Sequence, residues 1–193
     1  SDSTLDKKEF INYLIQDYLF LHQFAKAWSL AIVKADSLNE MKLCARTVNQ
    51  IVNFEMRLHE KICASYGITK KRLQSAEEKN KNIAYTRYVL ERGYSGDFLD
   101  LLTALVPCVI GYGEIGKNIK KNSPKNKMYK EWIITYSGKE YQNVAKNVGK
   151  LFDDSIEARL GKQFTKSYKW KKIQEVFKKA TLLEIDFWEM AFE

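Results

Sequence analysis

Proline occurs only twice and glycine nine times in the 193 residues, too sparsely to punctuate the many tight turns of a β-sandwich or barrel. Cysteine is scarce as well. Cys44, Cys63 and Cys108 are odd in number, widely spaced and without a C-x-x-C pair, a pattern that speaks against a disulfide framework or a zinc ribbon. Long apolar runs are missing too: nothing approaches the roughly 20 uninterrupted apolar residues of a bilayer span, and the first residues hold no signal-peptide core. The expectation is a cytoplasmic chain with no membrane partner. Arginine is confined to Arg46, Arg57, Arg72, Arg87, Arg92 and Arg159, so the net charge of +8 comes mostly from lysine, densest over 117–130 and 162–179. Scattered lysines lack the fork with which arginine reads bases and phosphates. No nucleic-acid partner is expected.

What is present is a 45% hydrophobic, 13% aromatic chain, long enough to bury one substantial core in a single domain spanning 1–193. Its patterning is helical throughout. A first helix is predicted from Asp6 to Lys34. Ser37-Leu38-Asn39-Glu40 has the capping-box pattern that opens a second, which Gly67 ends. Further helices are predicted over Ser75 to Arg92, from Gly96-Asp97 to Lys121, over Ser137 to Arg159 and over Gln163 to Phe192, with Ser123-Pro124 opening another. The sum is an all-α bundle of seven or eight helices.

The informative feature is polar residues on stripes that ought to be apolar. Asp17 shares a face with Leu14, Leu21, Phe24 and Trp28; Cys108 and Tyr112 share one with Leu101, Leu105, Ile115 and Ile119; Glu184 shares one with Trp170, Ile173, Phe177, Ala180, Phe187 and Ala191. Glu55 and His59 lie on a fourth stripe with Val48, Val52 and Ile62. Pro107, just before the thiol, removes the amide that would bond the Thr103 carbonyl and can open space beside Cys108. Each feature alone also fits an ordinary core. A cysteine on such a stripe is often a small hydrophobe, the reading given to Cys44 and Cys63. A carboxylate often pairs with lysine, and a tyrosine often places its hydroxyl at the rim. Glu55 with His59 reads as a hydrogen-bonding pair in preference to a metal site. Together, a thiol, two acids and several tyrosines on different helices point to a pocket.

The same residues lie in segments that resemble the TenA/thiaminase II family: Gln16-Asp17-Tyr18, Glu55 through His59, Ala84-Tyr85-Thr86, Leu105-Val106-Pro107-Cys108, Tyr112-Gly113-Glu114-Ile115-Gly116, Trp132 through Tyr136 and Glu184 through Ala191. Order and spacing agree along nearly the whole chain. The resemblance implies a haem-oxygenase-like helical bundle, often a homotetramer, that needs no metal or organic cofactor. It implies hydrolysis of 4-amino-5-aminomethyl-2-methylpyrimidine, or cleavage of thiamin, in thiamin salvage. Cys108 would be the nucleophile, Glu184 the proton donor and acceptor, and Asp17 the group that holds the pyrimidine's amidine-like edge. Tyr85, Tyr112, Tyr136 and Phe187 would line the pocket, and Cys108 after Pro107 places the chain with the cysteine type. Two departures stand out. Phe20 occupies the wall position where many relatives carry a tyrosine whose hydroxyl assists the thiol, and relatives typically begin about one helix earlier than Ser1.

Two other readings remain open at this point. A metal-dependent or cofactorless oxidase on a similar bundle is disfavoured, because only His22 and His59 occur and the repeated Glu-x-x-His pairs of a di-iron bundle are missing. A non-catalytic pyrimidine-binding or regulatory protein would keep the pocket without the turnover.

Overall fold

A computed structural model of the chain describes residues 5–122 and 129–193. The first helix, α1 (Lys7–Lys34), starts where its chemistry dictates: the Asp6 side chain accepts from a first-turn amide and Glu9 reaches back to the cap amide. The second start, α2 (Leu38–Gln50), is capped the same way by Ser37 and Glu40. Glu40 has a second role. Its buried carboxylate also accepts from Arg159 at 2.7 Å and Ser155 at 3.1 Å, so a capping residue ties the helix start to the far end of the bundle.

The expected continuous helix from Ser37 to Gly67 is interrupted. Residues Ile51–Glu55 form a π turn between α2 and α3 (Met56–Ser65). Ile51 is buried and Val52, predicted to face inward, is 45% exposed. Gly67 ends the segment with φ at 79°, a conformation that favours glycine. A short α4 (Lys70–Gln74) follows, unanticipated from the pattern, and α5 begins at Asn80, running to Ser95, where Ser75 was expected. The cause is Gln16, whose side chain donates to Glu77 O at 2.8 Å and accepts from Lys79 N at 3.0 Å. Those bonds hold the backbone of the intervening loop against α1 and away from helical pairing.

The longest apolar element, α6 (Phe98–Asn122), contacts α1 and α5 on one side and α7 (Lys130–Ser137), α8 (Lys139–Leu160) and α9 (Tyr168–Glu189) on the others. It has the length and hydropathy of a membrane span, yet most of that window is buried inside the bundle, so its side chains face protein. Pro107 sits within it without ending it. Gly116 permits the closest helix approach: a Cβ there would lie 2.6 Å from the carbonyl carbon of Tyr136. The expected helix from Gln163 instead starts at Tyr168, capped by the Ser167 side chain. The Ser123-Pro124 opening lies outside the described residues. Among the described residues there are nine α-helices and no strand, more than expected because the π turn splits the second helix into α2 and α3 and because α4 is added.

Candidate active site

Helices α1, α2, α6, α7 and α8 and the π turn surround a narrow cavity of about 10 Å³. Asp17 and Phe20 of α1, Glu55 of the π turn, Cys108 and Tyr112 of α6 and Tyr136 of α7 all line it. Phe20, Tyr112 and Tyr136 thus sit where a ring-shaped ligand would meet aromatic walls. Three expected residues are not part of this lining. Tyr85 and Phe187 stand behind Phe20, their rings 5.1 and 5.2 Å from its own. Glu184, on α9, lies beside both Cys108 and Tyr85.

Asp17 sits at the centre of a hydrogen-bonded cluster. Its Oδ2 accepts from Tyr13 at 3.0 Å and meets His59 Nε2 at 2.6 Å, while its Oδ1 accepts from Tyr112 at 3.2 Å. The Tyr13 oxygen in turn accepts from Trp132 Nε1 at 3.1 Å. His59 fixes the charge of this cluster. Its Nδ1 faces the Glu55 backbone carbonyl at 2.9 Å and its Nε2 faces the Asp17 carboxylate; with an acceptor at each nitrogen, the ring holds both protons. Burial opposes charge on His59, but the Asp17 carboxylate outweighs it and its pKa is raised. Asp17 and His59, both essentially inaccessible, form a buried ion pair.

The Glu184 side is the reverse. Its Oε2, the Tyr85 hydroxyl and the Trp188 indole nitrogen are buried, and none completes a hydrogen bond of good geometry among the described residues. Burial, reinforced by Asp17, pushes the Glu184 pKa up to about 8, although Tyr85, Cys108 and Trp188 approach closely enough to favour its charged form. Burial likewise raises the Cys108 thiol well above the ordinary cysteine value, with the Glu184, Asp17 and Glu55 charges adding to it. At neutral pH both the thiol and the Glu184 carboxyl therefore rest protonated.

Sequence reasoning placed Asp17, Cys108 and Glu184 on inward faces, and all three are buried around this site. It paired His59 with Glu55, whereas the side-chain partner is Asp17, and Glu55 contributes only its backbone carbonyl to the ring. Tyr13, Trp132, Thr47 and Tyr141 were missed. Tyr13 alone had a readable signal, lying one turn before Asp17 on the same face. Cys44 and Cys63 are fully buried and do not line the cavity.

The profile of the TENA/THI-4/PQQC family matches residues 1–193. The chain belongs to this family. It is 33% identical over 193 residues to the aminopyrimidine aminohydrolase of Helicobacter pylori, covering 98% of this chain and 86% of that protein. A solved structure described as a TenA family transcription regulator from Silicibacter sp. TM1040 is 49% identical, covers 97% of this chain and 83% of that one, and superposes with a TM-score of 0.94. A domain with a heme oxygenase-like fold from Shewanella denitrificans superposes at a TM-score of 0.75 with 15% identity, over 99% of this chain and 80% of that chain. The bundle is haem-oxygenase-like, as expected from the sequence.

Proposed function

We propose that the chain is a cysteine-dependent hydrolase of thiamin salvage, converting 4-amino-5-aminomethyl-2-methylpyrimidine to the hydroxymethyl pyrimidine and ammonia, with thiamin cleavage as a related activity. The observation that carries this reading is that Cys108 shares its surroundings with the Asp17 carboxylate, bonded to His59, and with the Glu184 carboxyl, held protonated by burial. Asp17 accepts from the amidine-like edge of the ring. Three of its roughly four acceptor sites are already engaged, which leaves Oδ1 with capacity for a ligand donor.

Glu184, protonated at rest, gives its proton to the pyrimidine ring as the Cys108 sulfur adds to a ring carbon, and the emptied carboxylate takes the thiol proton. Ring electrons then expel the group on the adjacent methylene, as ammonia from its ammonium form or as neutral thiazole from the thiazolium. Water adds to the methylene and loses a proton. Loss of the ring N–H proton then drives cleavage of the C–S bond, and Glu184 returns a proton to the departing sulfur, restoring the aromatic ring and the free thiol. Each step uses the chain's own residues and water. The same likeness supports a homotetrameric, cytoplasmic protein acting as one domain, which light scattering and fractionation test.

The deciding experiment is a product assay with the aminomethyl pyrimidine and, separately, thiamin, comparing the unmodified protein with Cys108→Ser and Glu184→Gln. Product from the unmodified protein alone is the expected result. The description of the 49% identical structure as a regulator favours a second reading, a pyrimidine-binding protein without turnover. Binding unaffected by Cys108→Ser, with no product from any form, would establish that reading in place of the hydrolase.

A further inference from the structure

The steps above leave one buried acid without a task. Glu55 is 8% exposed and lines the cavity from the π turn, a distortion that widens a helix by one residue and recurs at functional sites. Among the described residues no lysine or arginine lines the cavity, and Arg46 lines only the groove outside it. The groups that face it are Asp17 from α1, His59 from α3, Cys108 from α6, Tyr136 from α7 and Tyr141 from α8. Of these, the positive charge on His59 favours the ionised form of Glu55 but is bonded directly to Asp17, and the Tyr136 hydroxyl approaches Glu55. Burial, opposed by His59 and reinforced by Asp17, raises its pKa to about 7. A carboxyl in that state ionises readily when a cation arrives.

Its place along the cavity says which part of a ligand it meets. Thr47 and Val144 line both the cavity and an outer groove of about 320 Å³. The π turn borders both spaces, with Ile51 and Glu55 on the inner and Phe54 on the outer. Asp17 engages the ring's amidine edge at the bonded cluster, so the substituent on the reacting methylene is the part left to the groove side. Both substrates of the proposed reaction carry a positive charge there, as an ammonium or a thiazolium, and the hydroxymethyl product carries none.

Resting on that aminopyrimidine reading, we propose that Glu55 is the specificity-determining residue for the leaving group: its carboxylate receives the substrate's cationic substituent and so favours substrate over neutral product. Binding of the aminomethyl and hydroxymethyl pyrimidines, measured by calorimetry in a Cys108→Ser background that holds substrate without turnover, tests it. Glu55→Gln is expected to weaken the cationic ligand about ten- to a hundredfold and the neutral one less than about threefold. Affinity for the cation should rise as pH passes upward through about 7, where Glu55 ionises, and this slope should vanish in Glu55→Gln. Glu55→Asp, which keeps the charge on a shorter stem, should retain part of the preference, with a thermal melt checking that each variant is folded. Equal weakening of both ligands, or no change in either, would overturn the inference while leaving the hydrolase intact. Failure of the Cys108→Ser protein with Glu55 in place to bind either pyrimidine would sink the aminopyrimidine reading and this inference together.

Discussion

The two carboxylates that flank Cys108 live under opposite rules. Asp17 is surrounded by Tyr13, His59 and Tyr112, with Trp132 bonding behind them. Glu184 lies among Tyr85 and Trp188, whose polar atoms, like its own Oε2, complete no hydrogen bond of good geometry. A network saturated but for the one Oδ1 acceptor site left for a ligand fixes one geometry before that ligand arrives, as recognition requires. An unsaturated one costs stability and keeps a carboxyl protonated and available, as proton transfer requires. Trp188 belongs to both, stacking on Tyr13 at 4.6 Å while its nitrogen faces the unsaturated side.

The sharpest way to test this division is to remove the atom between the two ends. Cys108→Ser should lower kcat/KM for the aminomethyl pyrimidine by at least about a thousandfold, a loss of roughly 4 kcal/mol of transition-state stabilisation, while the melting temperature stays near that of the unmodified protein. Steady-state kinetics beside calorimetric melting checks both halves. A large loss of stability would place the thiol in the packing instead.

Breaking the saturated end should show as instability. His59→Leu leaves the buried Asp17 carboxylate without its cation, and the expected cost is about 3–5 kcal/mol in denaturant unfolding. A cost under about 1 kcal/mol would mean that the pair is weaker than its 2.6 Å separation indicates. The unsaturated end should respond with the opposite sign. Glu184→Gln, which removes an ionisable group from a buried site, should stabilise the fold or leave it unchanged within about 1 kcal/mol, even as turnover falls about a hundredfold or more.

The pH dependence separates the two ends in another way. A raised folded-state pKa means that the folded protein holds the proton more tightly than the unfolded chain, so its contribution to stability is present at low pH and lost as pH rises. For Glu184 that loss spans the range from the ordinary 4.5 up to about 8; for His59 it begins at the ordinary 6.5 and runs upward through the raised value. Melting temperature should therefore decline across neutral pH, and Glu184→Gln should flatten the slope below pH 8. An unchanged slope in that variant would contradict the buried, protonated acid. A last effect falls outside both ends: Gly116→Ala forces a Cβ to 2.6 Å from the Tyr136 backbone and should destabilise by about 1–3 kcal/mol, moving Tyr136 on the cavity wall.

How far the sequence reached follows from the range of each interaction. Helix starts at Asp6 and Ser37 depend on residues three apart, and both were legible. The inward faces of Asp17, Cys108 and Glu184 depend on a period of three to four, and they too were legible. Misreadings began where one segment acts on another. Gln16 holds a loop more than 60 residues away out of helical form, and the π turn at Ile51–Glu55 breaks the even period that assigned Val52 to the interior.

By itself, then, the sequence determined an all-α chain, its first two helix starts and the inward placement of a thiol and two acids, because local capping and hydrophobic periodicity act over a single helix. Only the tertiary structure decided which acid is saturated and which is not. That depends on His59 meeting Asp17 across 42 residues and Tyr112 meeting it across 95, and on how deeply Glu184 is buried. Charge state belongs to the assembled site, since proton affinity is set by the partners and the burial that folding supplies.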